Sequence, residues 1–426
     1  MRETMMQIEQ SVLDNGLRVL TARLPGFESA AVAAFVHAGS RYEAEANGGV
    51  AHFLEHMAFK GTRSRSALQI ATEIECLGAS VNAYTSRDVT AYYVTGLGST
   101  VPSAVAILGD VLTASVFDPA EIATEKGVIL QEIKRHSDNP SGVASDGFSR
   151  IAFPDQPLGR PILGAPQVVA ALDRADLAAF VGRHYFARNM VVVGAGNIDH
   201  AAFADLVARH FSALPAGAEP APPAPATYVG GFFRDTERDF QQVTMLLGFG
   251  SVPDTDPAVH AHGLLAAALG GGMSSPLFQQ VREKRGLVYA VQSWSEHGPD
   301  FGLLSVYAGT TAEHVAEVLR VTCGEIAGAA RQIDEADLMR ARNGRLVQLA
   351  TARESPFGIA RGIAWSLFTF GRIVMPEELM EQVRAVSLDD VRDAAGAIIA
   401  TPPTLSLVGP VTDADPLALV RSALCP

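Results

Sequence analysis

Apolar positions along this chain follow two rhythms. Short runs rich in β-branched and aromatic residues read as strands, and longer segments with apolar residues at i, i+3, i+4 and i+7 read as helices. SVLDNGLRVLTARL (11–24) sets two strand-like runs on either side of Asn15-Gly16, a pair suited to a tight hairpin. GASVNAYTSRDVTAYYV (78–94) enters through a glycine and alternates β-branched with aromatic residues, so it predicts a strand or hairpin. Residues 103–115 and 119–135 predict helices, and SSPLFQQVREKRGLVYAV (274–291) predicts a helix ending at Gly286. Strands and helices intermixed in this way predict an α+β protein.

One stretch breaks both rhythms. LPAGAEPAPPAPATY, residues 214–228, sets five prolines among small residues and predicts a stiff, extended spacer between 1–213 and 229–426. The second part repeats the first. VAAFVHAGS (32–40) parallels VTMLLGFGS (243–251) at an offset of 243 − 32 = 211, and FDPAEI (117–122) parallels IDEADL (333–338) at 333 − 117 = 216. Two such runs in the same order predict a duplicated α+β unit.

Composition narrows the field. At 426 residues the chain is long for one domain, and 48% hydrophobic with 19% charged residues describes a folded protein with a sizeable core. A formal charge of −13 argues against nucleic acid or an anionic membrane as partner. Cys76, Cys323 and Cys425 form no C-x-x-C pair, so neither a disulfide framework nor a thiolate metal site is indicated. MRETMMQIEQ lacks the apolar core of a signal peptide, and no apolar run reaches the ~18 residues a membrane helix needs. A reducing, cytoplasmic setting in a bacterium is the expectation.

The chemistry concentrates in GGVAHFLEHMAFKG (48–61). Val50, Phe53, Leu54 and Met57 form one helical stripe, and His52, Glu55, His56 and Phe59 form another, roughly 160° away at 100° per residue. Two histidines one turn apart can reach one ion, and Glu55 is placed to take a proton from water on that ion. The plain alternative is a solvent face with two histidines in phase. Phe59 on that face and a total of only eleven histidines favour the metal. The second half reads GLLAA at 263–267, where the first has HFLEH, so only the first copy can bind metal there.

A third ligand is offered by PAEIATEKGVILQEIKRH (119–136), whose Glu125, Val128, Ile129 and Glu132 share one face. Two carboxylates within a partly apolar stripe are costly to bury without a cation or donors, and a nearby Lys or Arg would serve as well as a metal. Spacing leaves open which glutamate binds.

HFLEHMAFKGT, followed by EKGVILQEI with Glu132 lying 132 − 56 = 76 residues beyond His56, resembles the inverzincin peptidases of the M16 (pitrilysin/insulinase) family. The likeness runs over nearly the whole chain. It points to the branch of two-domain bacterial peptidases and the β subunit of the mitochondrial processing peptidase. The resemblance implies two similar domains, each a mainly antiparallel sheet covered by helices, arranged as a clamshell around a cleft. It implies His52, His56 and Glu132 as ligands to one Zn2+ per chain, Glu55 as general base, and Glu125 as a carboxylate orienting a ligand. It also implies Asn82 and Ala83 on an edge strand that pairs with an extended peptide, and Phe59 lining the pocket after the cut. Arg282 and Tyr289, alone readable only as a solvated charge and a strand residue, become by resemblance a pair supplied by the second domain. They would hold the substrate backbone and polarise the scissile carbonyl. A homodimer is implied too.

The resulting expectation is a zinc endopeptidase or oligopeptidase acting on extended peptides, complete within one chain. A processing peptidase cutting at defined sites is the alternative. Arginine-directed members resemble each other in an acidic pair, and here Asp146 keeps the second position while Gly142 stands at the first. A non-catalytic scaffold of the same family is disfavoured, because every zinc residue is kept. VVVGAGNID (191–199) begins like a dinucleotide loop, but Asp199 occupies its third glycine position.

Overall fold

The computed structural model describes residues 6–218, 223–412 and 415–424. Cys425, the start of the N-terminal segment and the middle of the proline-rich stretch lie outside the described residues. Two compact units emerge. The first comprises Met1–Lys134, Arg160–Ala224 and Thr351–Ile373, and the second Arg135–Gly159, Pro225–Ala350 and Val374–Pro426.

The first unit is built on six strands: β1 (Gln7–Val12), β2 (Arg18–Arg23), β3 (Ser29–Val36), β4 (Ser80–Thr85), β5 (Thr90–Leu97) and β6 (Met190–Gly196). Their order is β1-β2-β6-β3-β5-β4, parallel between β2 and β6 and antiparallel elsewhere. Asn15-Gly16 lies in the β1–β2 connection, where Gly16 adopts φ +89 and the Leu13 N–H reaches the Leu17 carbonyl at 2.9 Å. The 78–94 segment forms the β4–β5 hairpin, with β4 at the sheet edge.

The second unit holds β7 (Gly231–Asp235), β8 (Val243–Ser251), β9 (Val288–His297), β10 (Gly302–Thr310) and β11 (Thr404–Val408) in the order β7-β11-β8-β10-β9. Here β7 and β11 are parallel and the other pairs antiparallel. Matching β2, β6, β3, β5, β4 to β7, β11, β8, β10, β9 reproduces both the order and the place of the parallel pair. The repeat legible in the sequence is therefore a repeat of sheet topology, with β1 the extra edge.

Helices follow in chain order: α1 (Val50–Met57), α2 (Ala67–Cys76), α3 (Val101–Ala114), α4 (Pro119–Ser137), α5 (Pro140–Ala152), α6 (Pro166–Ala171), α7 (Arg174–His184) and α8 (His200–Phe211). After the proline-rich stretch come α9 (Val259–Gly270), α10 (Val315–Gln332), α11 (Glu335–Thr351), α12 (Pro356–Phe370), α13 (Pro376–Ala385), α14 (Leu388–Ile399) and α15 (Pro416–Leu424). One face of the first sheet packs against α1, α3, α7 and α8 around Val32, Phe53, Val94, Leu108 and Phe203. One face of the second packs against α9, α10, α14 and α15 around Leu247, Leu265, Val306 and Leu319.

The opposite faces are covered by exchange. Val143, Ala144, Phe148 and Ala152 of α5 pack with Leu246, Leu303 and Val408 of the second sheet. Reciprocally, Ile359, Ala360, Ile363 and Leu367 of α12 pack with Phe35, Val191 and Val193 of the first. The approach is close: a Cβ at Gly147 would lie 2.0 Å from Phe233, and the Phe357 ring stacks on Tyr93 at 3.7 Å. The expected contiguous halves, 1–213 and 229–426, thus differ from the compact units in these two segments. Burial is the cause: each sheet has two apolar faces, and its own half of the chain covers one of them. The helix expected to end at Gly286 does end there, with Gly286 at φ +63 and its N–H on the Arg282 carbonyl at 2.9 Å, but its winding differs. Phe278–Glu283 winds as a π-turn, with the Lys284 N–H on the Gln279 carbonyl at 2.9 Å.

Candidate metal centre

Gly49 turns the chain into α1 at φ +94, a conformation glycine adopts without strain. Val50, Phe53, Leu54 and Met57 are buried in the core of the first unit. The opposite face presents His52, Glu55 and His56, each half-buried. On α4, Ile122, Glu125 and Ile129 are buried while Val128 is exposed. One further turn along, Glu132 keeps about a third of its side chain exposed.

These elements converge. One ligand-type atom from each of His52, His56 and Glu132 lies within 4.8 Å of the others. His56 Nε2 stands 3.4 Å and His52 Nε2 3.8 Å from the same Glu132 oxygen, Oε2. The other nitrogen of His56, Nδ1, meets Glu125 Oε2 at 3.1 Å. Glu125 Oε1 pairs with the Lys60 ammonium at 2.5 Å. Glu55 stays off this cluster, its Oε2 accepting the Thr85 hydroxyl at 2.7 Å.

The residues fit zinc. Bonds of 2.0–2.1 Å in a tetrahedral site place ligand atoms about 3.3–3.4 Å apart, close to the observed separations. With one proton on the His56 ring, held at Nδ1 by Glu125, Nε2 turns a lone pair toward the Glu132 carboxylate. Two electron-rich atoms facing each other call for a cation between them.

Burial dominates the electrostatics. It pushes the His52 imidazole down to about 4, with His56 adding to the effect, so the ring is neutral and ligand-ready at pH 7. Burial raises the Glu55 carboxyl, while the Thr85 hydrogen bond and His56 pull it back. Burial would raise Glu125 as well, but hydrogen bonds from Lys60 and His56 outweigh it and hold the carboxyl below its ordinary value. Of the two α4 glutamates, Glu125 therefore pairs with Lys60 and Glu132 faces the two histidines.

The remaining expected residues divide between the units. Asn82 and Ala83 lie on edge strand β4, with Asn82 Oδ1 accepting the Ala83 N–H at 2.8 Å. Phe59 is half-buried, its ring 6.4 Å from Tyr92 in an edge-on contact. In the second unit, Tyr289 on β9 is 53% exposed and its hydroxyl meets that of Tyr307 at 2.9 Å. That bond, with burial second, pushes the Tyr289 phenol up to about 12. Arg282, in the π-turn, lies over the Phe278 ring at 4.8 Å. Asp146 is paired with His136 at 2.9 Å, and a Cβ at Gly142 would stand 2.8 Å from that imidazole.

Lys60 and Thr85 are absent from the sequence reading. Lys60 was within reach of it, since 52, 56 and 60 advance by helical turns and the α4 carboxylates already called for a cation. Thr85 had no local signal, because only the β4–β5 pairing brings it to Glu55.

The chain is similar to known proteins over nearly its whole length. Residues 18–166 match the model of the insulinase (peptidase family M16) domain, and residues 171–345 match that of the peptidase M16 inactive domain. An uncharacterized zinc protease of Rickettsia felis is 37% identical over 401 residues, covering 94% of this chain and 97% of its own. The mitochondrial-processing peptidase subunit beta of Homo sapiens is 32% identical over 425 residues, covering 97% of this chain and 86% of its own. Among solved structures, a protease from Helicobacter pylori shares the fold with a TM-score of 0.88 at 21% identity, covering 95% of this chain and all of that one. The chain belongs to the insulinase (M16) family of zinc peptidases, in its two-domain form.

Proposed function

We propose that this protein is a zinc-dependent endopeptidase with the breadth of an oligopeptidase, hydrolysing extended peptides. The observation that carries the reading is the meeting of His52, His56 and Glu132 around one point, with Glu55 beside them and outside the ligand cluster. Zinc held there supplies Lewis acidity toward a water and the scissile carbonyl. Glu55, with Oε2 anchored by Thr85, takes a proton from the attacking water and delivers it to the leaving amine. Glu125 fixes the His56 ring, and Lys60 balances the Glu125 charge. The substrate adds to β4 as a further strand at Asn82 and Ala83, where its carbonyl replaces Asn82 on the Ala83 N–H. Phe59 borders the residue after the cut. Arg282 and Tyr289 hold the substrate backbone and donate toward the developing oxyanion.

Breadth is favoured over arginine-directed processing because Gly142 supplies no acid at the first position and Asp146, at the second, is already paired with His136. The likeness to the human processing subunit favours the second reading, cleavage of presequence-like peptides at defined sites. The proposal includes a homodimer, on the resemblance alone, and a reducing bacterial cytoplasm, on cysteines that form no pairing pattern; light scattering and fractionation of cells would check the two.

Glu55→Gln tests the mechanism. It should lower kcat by about 10²–10⁴ while zinc content stays at the wild-type level. Full activity in that variant would refute the role of Glu55. A mixed peptide library tests breadth: an absolute requirement for arginine two residues before the cut would establish the processing reading instead.

A further inference from the structure

Glu43 is 5% exposed and carries a carboxylate that the chemistry above does not use. Its Oε2 accepts the Gly49 N–H and its Oε1 the Ala51 N–H, each at 2.8 Å. Its own carbonyl accepts from the Arg160 guanidinium at 2.6 Å. Gly49 provides no side-chain cap, so a residue from outside the helix satisfies the leading amides of α1.

Burying a carboxylate is costly, and an apolar side chain would fill the same space without the penalty. Burial pushes the Glu43 carboxyl up to about 7, against the pull of its two amide hydrogen bonds and Arg160. The helix it caps has eight residues, too few to hold itself by propensity. The backbone around it is tightly seated. A Cβ at Gly49 would lie 2.8 Å from the Leu163 carbonyl, and one at Gly164 would lie 2.4 Å from that of Gly48. Arg160 is where the chain re-enters the first unit after α5, so that re-entry point is bonded to the residue that caps α1. The counterpart α9 starts differently, with Asp256 Oδ1 accepting the Ala258 N–H two residues on, at 2.7 Å.

We propose that Glu43 is a positioning residue for the metal helix: its carboxylate, bridging the Gly49 and Ala51 amides, fixes the rotation of α1 about its axis and so the aim of His52 and His56. The proposal rests on the reading of His52, His56 and Glu132 as zinc ligands.

Three variants of the full chain test it: Glu43→Gln, which keeps the shape but turns a donor toward one of the two amides; Arg160→Met, which frees the Glu43 backbone; and Asn189→Ala. The last is the control, removing buried hydrogen bonds to the His37 and His184 carbonyls and none to α1. Zinc affinity by chelator competition, kcat and KM separately, and amide exchange of residues 49–53 in zinc-free protein are measured. Glu43→Gln should weaken zinc binding about 10-fold or more, lower kcat at unchanged KM, and speed exchange at 49–53. Arg160→Met should move the same readouts less, and carries the test if Glu43→Gln does not fold. Wild-type zinc affinity with protected amides in either variant would overturn the proposal, as would an equal loss of zinc affinity in Asn189→Ala. If His56→Ala also kept wild-type affinity, the ligand reading itself would have failed instead.

Discussion

α1 and α9 follow equivalent strands, β3 in one unit and β8 in the other, and they differ in what surrounds them. α9 is buried on most sides, His262 included, and that imidazole is committed to the Ser251 hydroxyl at 2.8 Å. α1 buries one stripe and leaves its histidines and Glu55 on a half-open face, opposite carboxylates from α4. The two sheets share strand order and the position of the parallel pair. A helix packed on all sides has no face left for chemistry, whereas one packed on a single side has. The scaffold supplies the place, and a handful of side chains decides whether it is used.

The largest test of this comparison breaks the packing that makes the units. Phe148→Ala in α5 removes an aromatic from the second unit and should cost about 3–5 kcal/mol, while Ile363→Ala in α12 should cost the first unit about 2–5 kcal/mol. Denaturant unfolding checks both. Two changes that left stability untouched would mean that the exchanged helices are not core elements.

Acid should act next most strongly, through His37, which stacks on Phe368 of α12 at 4.6 Å. Burial, then Arg18 and Arg41, push the His37 imidazole down to about 4. The unfolded chain takes up this proton near pH 6.5 and the folded one only near 4. Stability is therefore whole above about pH 6.5 and falls as pH drops toward 4, by on the order of 3 kcal/mol. Unfolding curves across that window should lose this share of their slope in His37→Gln, while His52, also held near 4, keeps its own. An unchanged pH slope would place the acid sensitivity elsewhere.

Glu125→Gln should weaken zinc binding 10- to 100-fold, because the amide no longer presents a charged acceptor to both His56 and Lys60. Competition with a chelator reads this directly, and wild-type affinity would show that Glu125 serves only Lys60. The smallest effect belongs to the second copy. His262→Ala should leave zinc affinity and kcat/KM at wild-type values, with about 1–3 kcal/mol of stability lost as Ser251 loses its partner.

Much of this was legible locally. The α1 stripes, the Asn15-Gly16 connection and the helices near 101–114 and 119–137 follow from residue periodicity and turn chemistry, which act over a few residues. The repeat was legible because duplication leaves similar runs at similar offsets. The exchange of α5 and α12 was not: their apolar stripes would suit either sheet, and no local pattern says which one they cover. The same holds for Thr85 and Glu43, brought to α1 by strand pairing and by the fold of 39–49. The helix ending at Gly286 was legible, but its π winding at Phe278–Glu283 was not, because i and i+5 bonding leaves little trace in periodicity.

The most direct test of the account is the zinc-to-protein ratio after exhaustive dialysis of wild type, His56→Ala and His262→Ala. One zinc per chain in wild type and His262→Ala, and none in His56→Ala, is the predicted result. Zinc retained by His56→Ala, or lost by His262→Ala, would contradict the assignment of the metal to the first copy.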